Sequence, residues 1–282
     1  MSTYAYYNGE FINYEKVRIP LTDRSVFFGD GVYDAAIGEH GNIFCFEEHY
    51  ERFRQSAIKV GLLCEIKKEE LFETIAELIS RSKLESYFIY FQLSAHGDER
   101  SHERRSEKTN FLTIIKPWVM PNPQKCVRIC TEKDVRHSLC DVKTLNLLPA
   151  VIAATGGAKK GYDECLFVKN SYVTECAHSN IFSIKNEVLR TPPPSESVLG
   201  GITASLINEI ARDIGFCVKT ENFTLQELVE SDDVFITSTS KFCPRVCEID
   251  RKKMGVPTNC YNEISRRFYM RYLDVCRNLT IF

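Results

Sequence analysis

The stretch LCDVKTLNLLPAV, residues 139–151, is mostly apolar, yet it carries one lysine, Lys143, between Val142 and Thr144. Lysine is almost never fully buried unless something pairs with it. In isolation such a lysine reads as one that runs its stem along apolar surface and leaves its amine in water. The functional reading is a desolvated amine, which has a lowered pKa and is nucleophilic enough to form a Schiff base. Position alone does not separate the two, so the rest of the chain has to.

The 282 residues suffice for one large domain or two of ordinary size. A hydrophobic fraction of 44% and a charged fraction of 26% are those of a globular protein. The net charge of −2 gives no basic bias, which disfavours nucleic acid and anionic membrane as partners. The amino terminus has no charged region followed by an apolar one, and LNLLPAVIAA is broken by Asn146 and Pro149, so the chain reads as cytoplasmic with no membrane span. Twelve cysteines are scattered with no CxxC pair. Cys126 and Cys130 share one face of a strand pattern, but no histidine is spaced to close a zinc site. Buried free thiols, and no metal, are expected.

Periodicity gives an α+β chain. VYDAAIG (32–38) and NIFCF (42–46) flank a His40-Gly41 turn as a hairpin, and helical spacing begins at Glu47 and again near Lys68. FIYFQLSA (88–95) and FLTIIK (111–116) read as buried strands. Pro121 and Pro123 make a stiff connector, which sets an N-terminal α+β domain at 1–118, a linker at 119–124 and a C-terminal domain at 125–282. In the latter, strands fall near 126–131, 164–168, 172–175, 180–184, 187–190, 216–220 and 233–238, with helices near 149–159, 203–214 and 260–276. Thr203 is the expected N-cap of the second of these helices.

Five further features bear on Lys143. Glu175, in VTECAHSNIF (173–182), ends a strand, and if buried it needs a cationic or protonated partner such as a pyridine nitrogen. LGGITAS (199–205) leads a Gly-Gly pair into a helix, where free N–H groups beside a hydroxyl suit a phosphate. ITSTS (236–240) ends a strand in hydroxyls that can add donors. Arg52, in EEHYERF, is a surface charge or a phosphate partner, and Arg100 and His102 lie two apart in a polar loop where they can clasp a carboxylate. Each favours a bland reading alone. Together they match what pyridoxal phosphate requires: a lysine for its aldehyde, an acid at its ring nitrogen and donors for its phosphate.

In this order, from YNGE through FFGDGVYD, EEHYERF, IYFQ, CDVKTLNLL, VTECAHSNIF, GGIT and ITSTS, these residues resemble the fold-type IV pyridoxal-phosphate enzymes. That group includes D-amino acid aminotransferases, branched-chain aminotransferases and aminodeoxychorismate lyases, and the likeness is nearest to the first. The resemblance implies a smaller N-terminal α+β domain, a larger C-terminal domain with a β-barrel-like core, and the cofactor between them. It implies that Lys143 binds the cofactor's aldehyde and that Glu175 meets its ring nitrogen. Arg52, Ile202, Thr203, Ser238 and Thr239 would hold its phosphate, and Tyr33 would stand beside the substrate.

Arg100 and His102 resemble the R-x-H pair that binds the substrate carboxylate from the neighbouring subunit, which implies a homodimer. The implied reaction is transamination between a D-amino acid and a 2-oxo acid, D-alanine and 2-oxoglutarate giving pyruvate and D-glutamate. Branched-chain L-amino acid transamination, pyruvate elimination from aminodeoxychorismate and (R)-amine transamination are the alternatives on the same fold. A non-catalytic binding protein is the alternative of a different class, and the retained lysine and glutamate argue against it. The chain departs from the family's usual residues at Ala95, Leu139, His178 and Ala204.

Overall fold

A computed structural model describes residues 3–97 and 99–277. The chain divides into two compact units. The first takes in the chain up to Val119, the segment Val142–Asn146 and the end of the last helix from Val275. The second comprises Met120–Asp141 and Leu147–Asp274.

The first unit contains β1 (Tyr4–Tyr7), β2 (Glu10–Asn13), α1 (Ser25–Phe28), β3 (Gly31–Glu39), β4 (Asn42–Ile43), α2 (Phe46–Lys59), α3 (Lys68–Ser82), β5 (Ser86–Ala95) and β6 (Thr109–Pro117). The strands form one antiparallel sheet in the order β2-β1-β6-β5-β3-β4. In β5, Tyr87, Ile89, Phe91 and Leu93 are buried, which is the two-residue period of a strand with one face in a core. Leu71, Ile75 and Leu78 of α3 and Phe53 and Ala57 of α2, at helical spacing, belong to the same core.

The hairpin expected at 32–46 ends sooner than its apolar run. His40 and Gly41 both take positive φ, 51° and 87°, as a tight turn requires, but β4 stops at Ile43. Cys45 is left-handed (φ 53°), which breaks the strand and launches α2 at Phe46. The β1–β2 hairpin was not read from the sequence although its turn, Asn8-Gly9, is a strong hairpin signal; the two residues have φ of 45° and 98°.

The second unit contains β7 (Val127–Lys133), α4 (Leu148–Lys159), β8 (Glu164–Lys169), β9 (Tyr172–Cys176), β10 (Asn180–Lys185), β11 (Val188–Thr191), α5 (Ile202–Asp213), β12 (Cys217–Thr220), α6 (Leu225–Val229), β13 (Asp233–Thr237), β14 (Val246–Ile249), β15 (Lys252–Lys253) and most of α7 (Asn259–Arg277). Its core is not a closed barrel. It holds two sheets, β12-β11-β10-β13 and β15-β14-β7-β8-β9, each with parallel and antiparallel pairs. Ile129, Leu166, Ile181, Val234, Ile236 and Val246 from both sheets share one apolar cluster.

None of the twelve cysteines is in a disulfide; six are buried, Cys45, Cys64, Cys140 and Cys247 are half-buried, and Cys126 and Cys217 are exposed, so the expectation of buried thiols holds for half of them. Cys126 precedes β7, and the strand alternation that was to bury it beside Cys130 has not yet begun. No helix among the described residues is long and apolar enough to cross a membrane.

One glycine shows how tightly the segment 142–146 is held. A Cβ on Gly31 would lie 2.6 Å from both the Leu93 carbonyl oxygen and Leu145 Cδ1. Gly31→Ala is therefore expected to lower the unfolding free energy by about 1–3 kcal/mol, the usual cost of overpacking, as measured by urea denaturation.

Candidate active site

Lys143 is carried by a short extended segment laid along β3. Thr144 bridges Val32, the Leu145 N–H donates to the Gly31 carbonyl (3.0 Å), and the Tyr33 N–H donates to the Lys143 carbonyl (2.9 Å). The Lys143 N–H donates to Ser56 Oγ of α2 at 3.3 Å. The side chain is half-buried, and its amine sits 4.5 Å from the centre of the Tyr33 ring with no ion pair among the described residues. The Tyr33 ring in turn stacks on Tyr90, centroid to centroid 5.4 Å.

Next to Tyr33 in β3, Asp34 is fully buried and accepts from Arg52 Nε (2.7 Å) and Nη2 (2.8 Å) while His49 Nδ1 lies 2.7 Å away. Burial alone would raise the Asp34 pKa, but the charges and hydrogen bonds of Arg52 and His49 hold it far below the ordinary carboxylate range. Arg52 is therefore not a loose surface charge: a two-pronged grip orients its guanidinium.

The loop at 99–104 carries Arg100 and His102; Asp98 lies outside the described residues. Both side chains pack on the Phe28 ring at the end of α1, Arg100 with its guanidinium carbon 5.2 Å from the ring centre and His102 with its ring centre 5.3 Å away. Beneath them the buried Arg24 donates to the carbonyls of Ser101 (2.5 Å), His102 (3.1 Å) and Glu103 (3.4 Å). Arg24 Nε also donates to Asp30 (2.8 Å), which Arg104 grips from its other side. Ala95 supports the same corner through backbone bonds, its N–H to Asp30 and its carbonyl from Arg24.

In the second unit Glu175 is the next-to-last residue of β9, which runs one residue further than expected, and it is buried, as the functional reading of that strand end requires. Its cationic partner is Arg136, which sequence reasoning missed. Arg136 Nη1 donates to Glu175 Oε1, and the same guanidinium donates to Asp134 (Nη2 to Oδ2, 2.8 Å) and to the Ser197 carbonyl (2.9 Å). Burial opposes the charge on Arg136, but hydrogen bonds to Asp134 and the charges of Glu175 and Asp134 raise its pKa above the ordinary arginine value. A permanently charged guanidinium against Glu175 favours the ionised carboxylate. The only signal in the sequence was Asp134-x-Arg136, and its second partner stands 39 residues further on.

The other oxygen, Oε2, accepts the Leu199 N–H at 3.0 Å, and Asn180 Nδ2 lies 3.5 Å from it and donates to the Leu199 carbonyl at 2.9 Å. Leu199 leads straight into the Gly200-Gly201 turn. Gly201, not Thr203, is the N-cap of α5, with extended backbone (φ −74°, ψ 131°). A Cβ there would fall 1.9 Å from Asn180 Oδ1, so a larger residue would have to displace the buried Asn180 side chain, and the helix starts a residue sooner than expected. Ile202 and Thr203 occupy the first turn, where N–H groups have no partner within the helix. Asn180 also pairs in register with Thr237 at the end of β13, and Ser238 and Thr239 follow at once. One short network thus joins Glu175, the α5 start and the hydroxyl-bearing strand end.

His178 turns toward a second buried acid. Its Nδ1 lies 3.0 Å from Glu164 Oε2, which also accepts from Ser179 Oγ (3.0 Å) and faces Lys241 Nζ (3.7 Å). Burial works against the Glu164 charge, and the bond from His178 with the charges of His178 and Lys241 brings its pKa below the ordinary value. Of the other departures, Leu139 is 51% exposed and Ala204 is buried in the first turn of α5.

Residues 31–249 match the family of class IV amino-transferases. The D-alanine aminotransferase of Staphylococcus epidermidis is 34% identical over 252 residues, covering 88% of this chain and 89% of that protein. The D-alanine aminotransferase of Listeria monocytogenes is 33% identical over 249 residues, 86% of each. Among solved structures, the branched-chain aminotransferase of Thermoproteus uzoniensis, crystallised with norvaline, superposes with a TM-score of 0.90 at 22% identity over 98% of both chains. The chain belongs to the class IV aminotransferases. It is an enzyme of the fold-type IV group that acts on amino acid and 2-oxo acid substrates with pyridoxal phosphate as cofactor.

The residues present fit that cofactor. A lysine amine without a counter-ion among the described residues, a buried acid paired with an arginine, and a glycine-led helix start beside hydroxyls are the three groups its chemistry asks for. Arg136→Met leaves Glu175 buried without its cation. It is expected to cost about 3–5 kcal/mol of unfolding free energy and to weaken retention of pyridoxal phosphate on gel filtration, read from the absorbance of the eluted protein.

Proposed function

We propose that the enzyme transfers the amino group of D-amino acids, with D-alanine and 2-oxoglutarate giving pyruvate and D-glutamate. The observation that carries this reading is Arg100 and His102, displayed together on Phe28 from a loop whose backbone is fixed by Arg24. An arginine with a neighbouring imidazole is a strong, oriented receptor for a carboxylate. Identity of 33–34% to relatives named D-alanine aminotransferases supports the same reading.

In this reading each residue has a defined task. When bound, pyridoxal phosphate supplies an aldehyde that takes the substrate amine and a ring that accepts the electrons released at Cα. Lys143 is the residue that binds the aldehyde, and its amine moves the proton at the substrate Cα. Glu175, paired with Arg136, would hold a proton on the ring nitrogen. Thr203 and the N–H groups of Ile202 and Thr203, with Ser238, Thr239 and the guanidinium of Arg52, hold the phosphate. Tyr33 stands beside the substrate, its ring already against the Lys143 amine.

The test is a pair of half-reactions on the purified holoenzyme. D-alanine is expected to convert faster than L-leucine, and the reverse order would overturn the reading. Arg100→Ala is expected to raise KM for D-alanine by about tenfold or more, because a charged hydrogen bond to the carboxylate is lost.

The active unit in this proposal is a homodimer. Its support is α4, where Leu148, Val151 and Ile152 are 69%, 54% and 63% exposed on a helix with almost no charge. Such a contiguous apolar face marks an interaction surface. Sedimentation is expected to give twice the 32.4 kDa of one chain, and Ile152→Glu to shift the protein toward the single-chain mass.

A further inference from the structure

The edge of the first unit around Phe28 holds an arrangement that the proposed chemistry does not itself require. Three cationic or ionisable side chains surround one ring: Arg24 at 4.6 Å, Arg100 at 5.2 Å and His102 at 5.3 Å from its centre. Their placements differ. Arg24 is 5% exposed and spends its N–H groups on Asp30 and on three successive carbonyls of the loop. Arg100 and His102 are exposed and make no ion pair among the described residues. Phe28 is half-buried, the last residue of α1, and Gly29 follows it in the left-handed conformation (φ 59°) that ends the helix. The ring is thereby anchored at its base and presents a face outward.

A free arginine side chain samples many rotamers, and ordering it on a ligand costs binding free energy. Stacking on an aromatic face confines the guanidinium beforehand through the ring quadrupole. Here the same ring also contacts the histidine two residues on, so the two receptor groups share one support while Arg24 fixes the backbone between them.

Building on the D-amino acid reading above, we infer that Phe28 is a positioning residue for substrate recognition, holding Arg100 and His102 ready for the carboxylate without touching it. Its effect falls on binding and not on the proton transfer that Lys143 performs.

The test compares steady-state kinetics of the holoenzyme with D-alanine across Phe28→Leu, Phe28→Tyr and Arg100→Ala, with thermal unfolding of each. Leucine keeps the bulk of the site and removes the ring face; tyrosine keeps the face. The expected result for Phe28→Leu is a KM raised about tenfold, from two side chains that must now be ordered on binding, with kcat within about twofold. Phe28→Tyr is expected to keep KM near the wild-type value. If Arg100→Ala raises KM while Phe28→Leu leaves it unchanged, the inference fails and the carboxylate reading survives. Were Phe28→Leu to lower kcat and the melting temperature with KM unmoved, the ring would be a structural residue only, which also overturns it. An unchanged KM in Arg100→Ala overturns both.

Discussion

A carboxylate that has to stay charged where little water reaches it needs a cation built into the fold, and the Glu175–Arg136 pair meets that need. Removing an ion from water carries a large penalty, and an unpaired buried acid takes up a proton. Arg136 prevents this through Oε1, while Oε2 is left to the Leu199 N–H and Asn180. Those contacts tie the acid to the Gly200-Gly201 turn and to the end of β13, so the start of α5 and the hydroxyl-bearing strand end share one network with the ion pair. The first unit repeats the solution twice, with Arg52 on Asp34 and with Arg24 and Arg104 on Asp30. In each case the arginine fork fixes geometry as well as charge.

Much of the site was legible in the sequence because its residues sit in runs with their own local signature. Lys143 stands out against an apolar stretch, Glu175 at a strand end, and Gly-Gly-x-Thr before a helix. What stayed hidden was what depends on partners far along the chain. Arg136 is unremarkable until Glu175, 39 residues later, folds against it. Phe28 reads as one more aromatic in FFGDG until residues of the 99–104 loop land on it. Thr203 looked like the helix cap because it carries a hydroxyl, whereas the packing of Asn180 on Gly201 decided where α5 begins.

The fold shows the same division. Period-two and period-3.6 patterns mark β5, α2 and α3, which bury one face in the first unit's core, whereas β10 and β13 are buried along almost their whole length and show only as apolar runs. The short hairpin at Asn8-Gly9 carries its signal in only two residues, and the β3–β4 hairpin is cut short by the left-handed backbone at Cys45, which no apolar pattern encodes. The second unit's pair of sheets, in place of a closed barrel, follows from strand order, and strand order is a matter of long-range pairing.

The segment Val142–Asn146 belongs by its contacts to the first unit, though the chain has already entered the second at Met120 and returns there at Leu147. The polypeptide is therefore laced and not merely linked at its midpoint. A cut near Pro121 would yield a fragment that has every strand of the first sheet but lacks the lysine laid along β3. In this chain the Lys143 amine and the strand that holds it cannot be inherited, expressed or exchanged as one contiguous module.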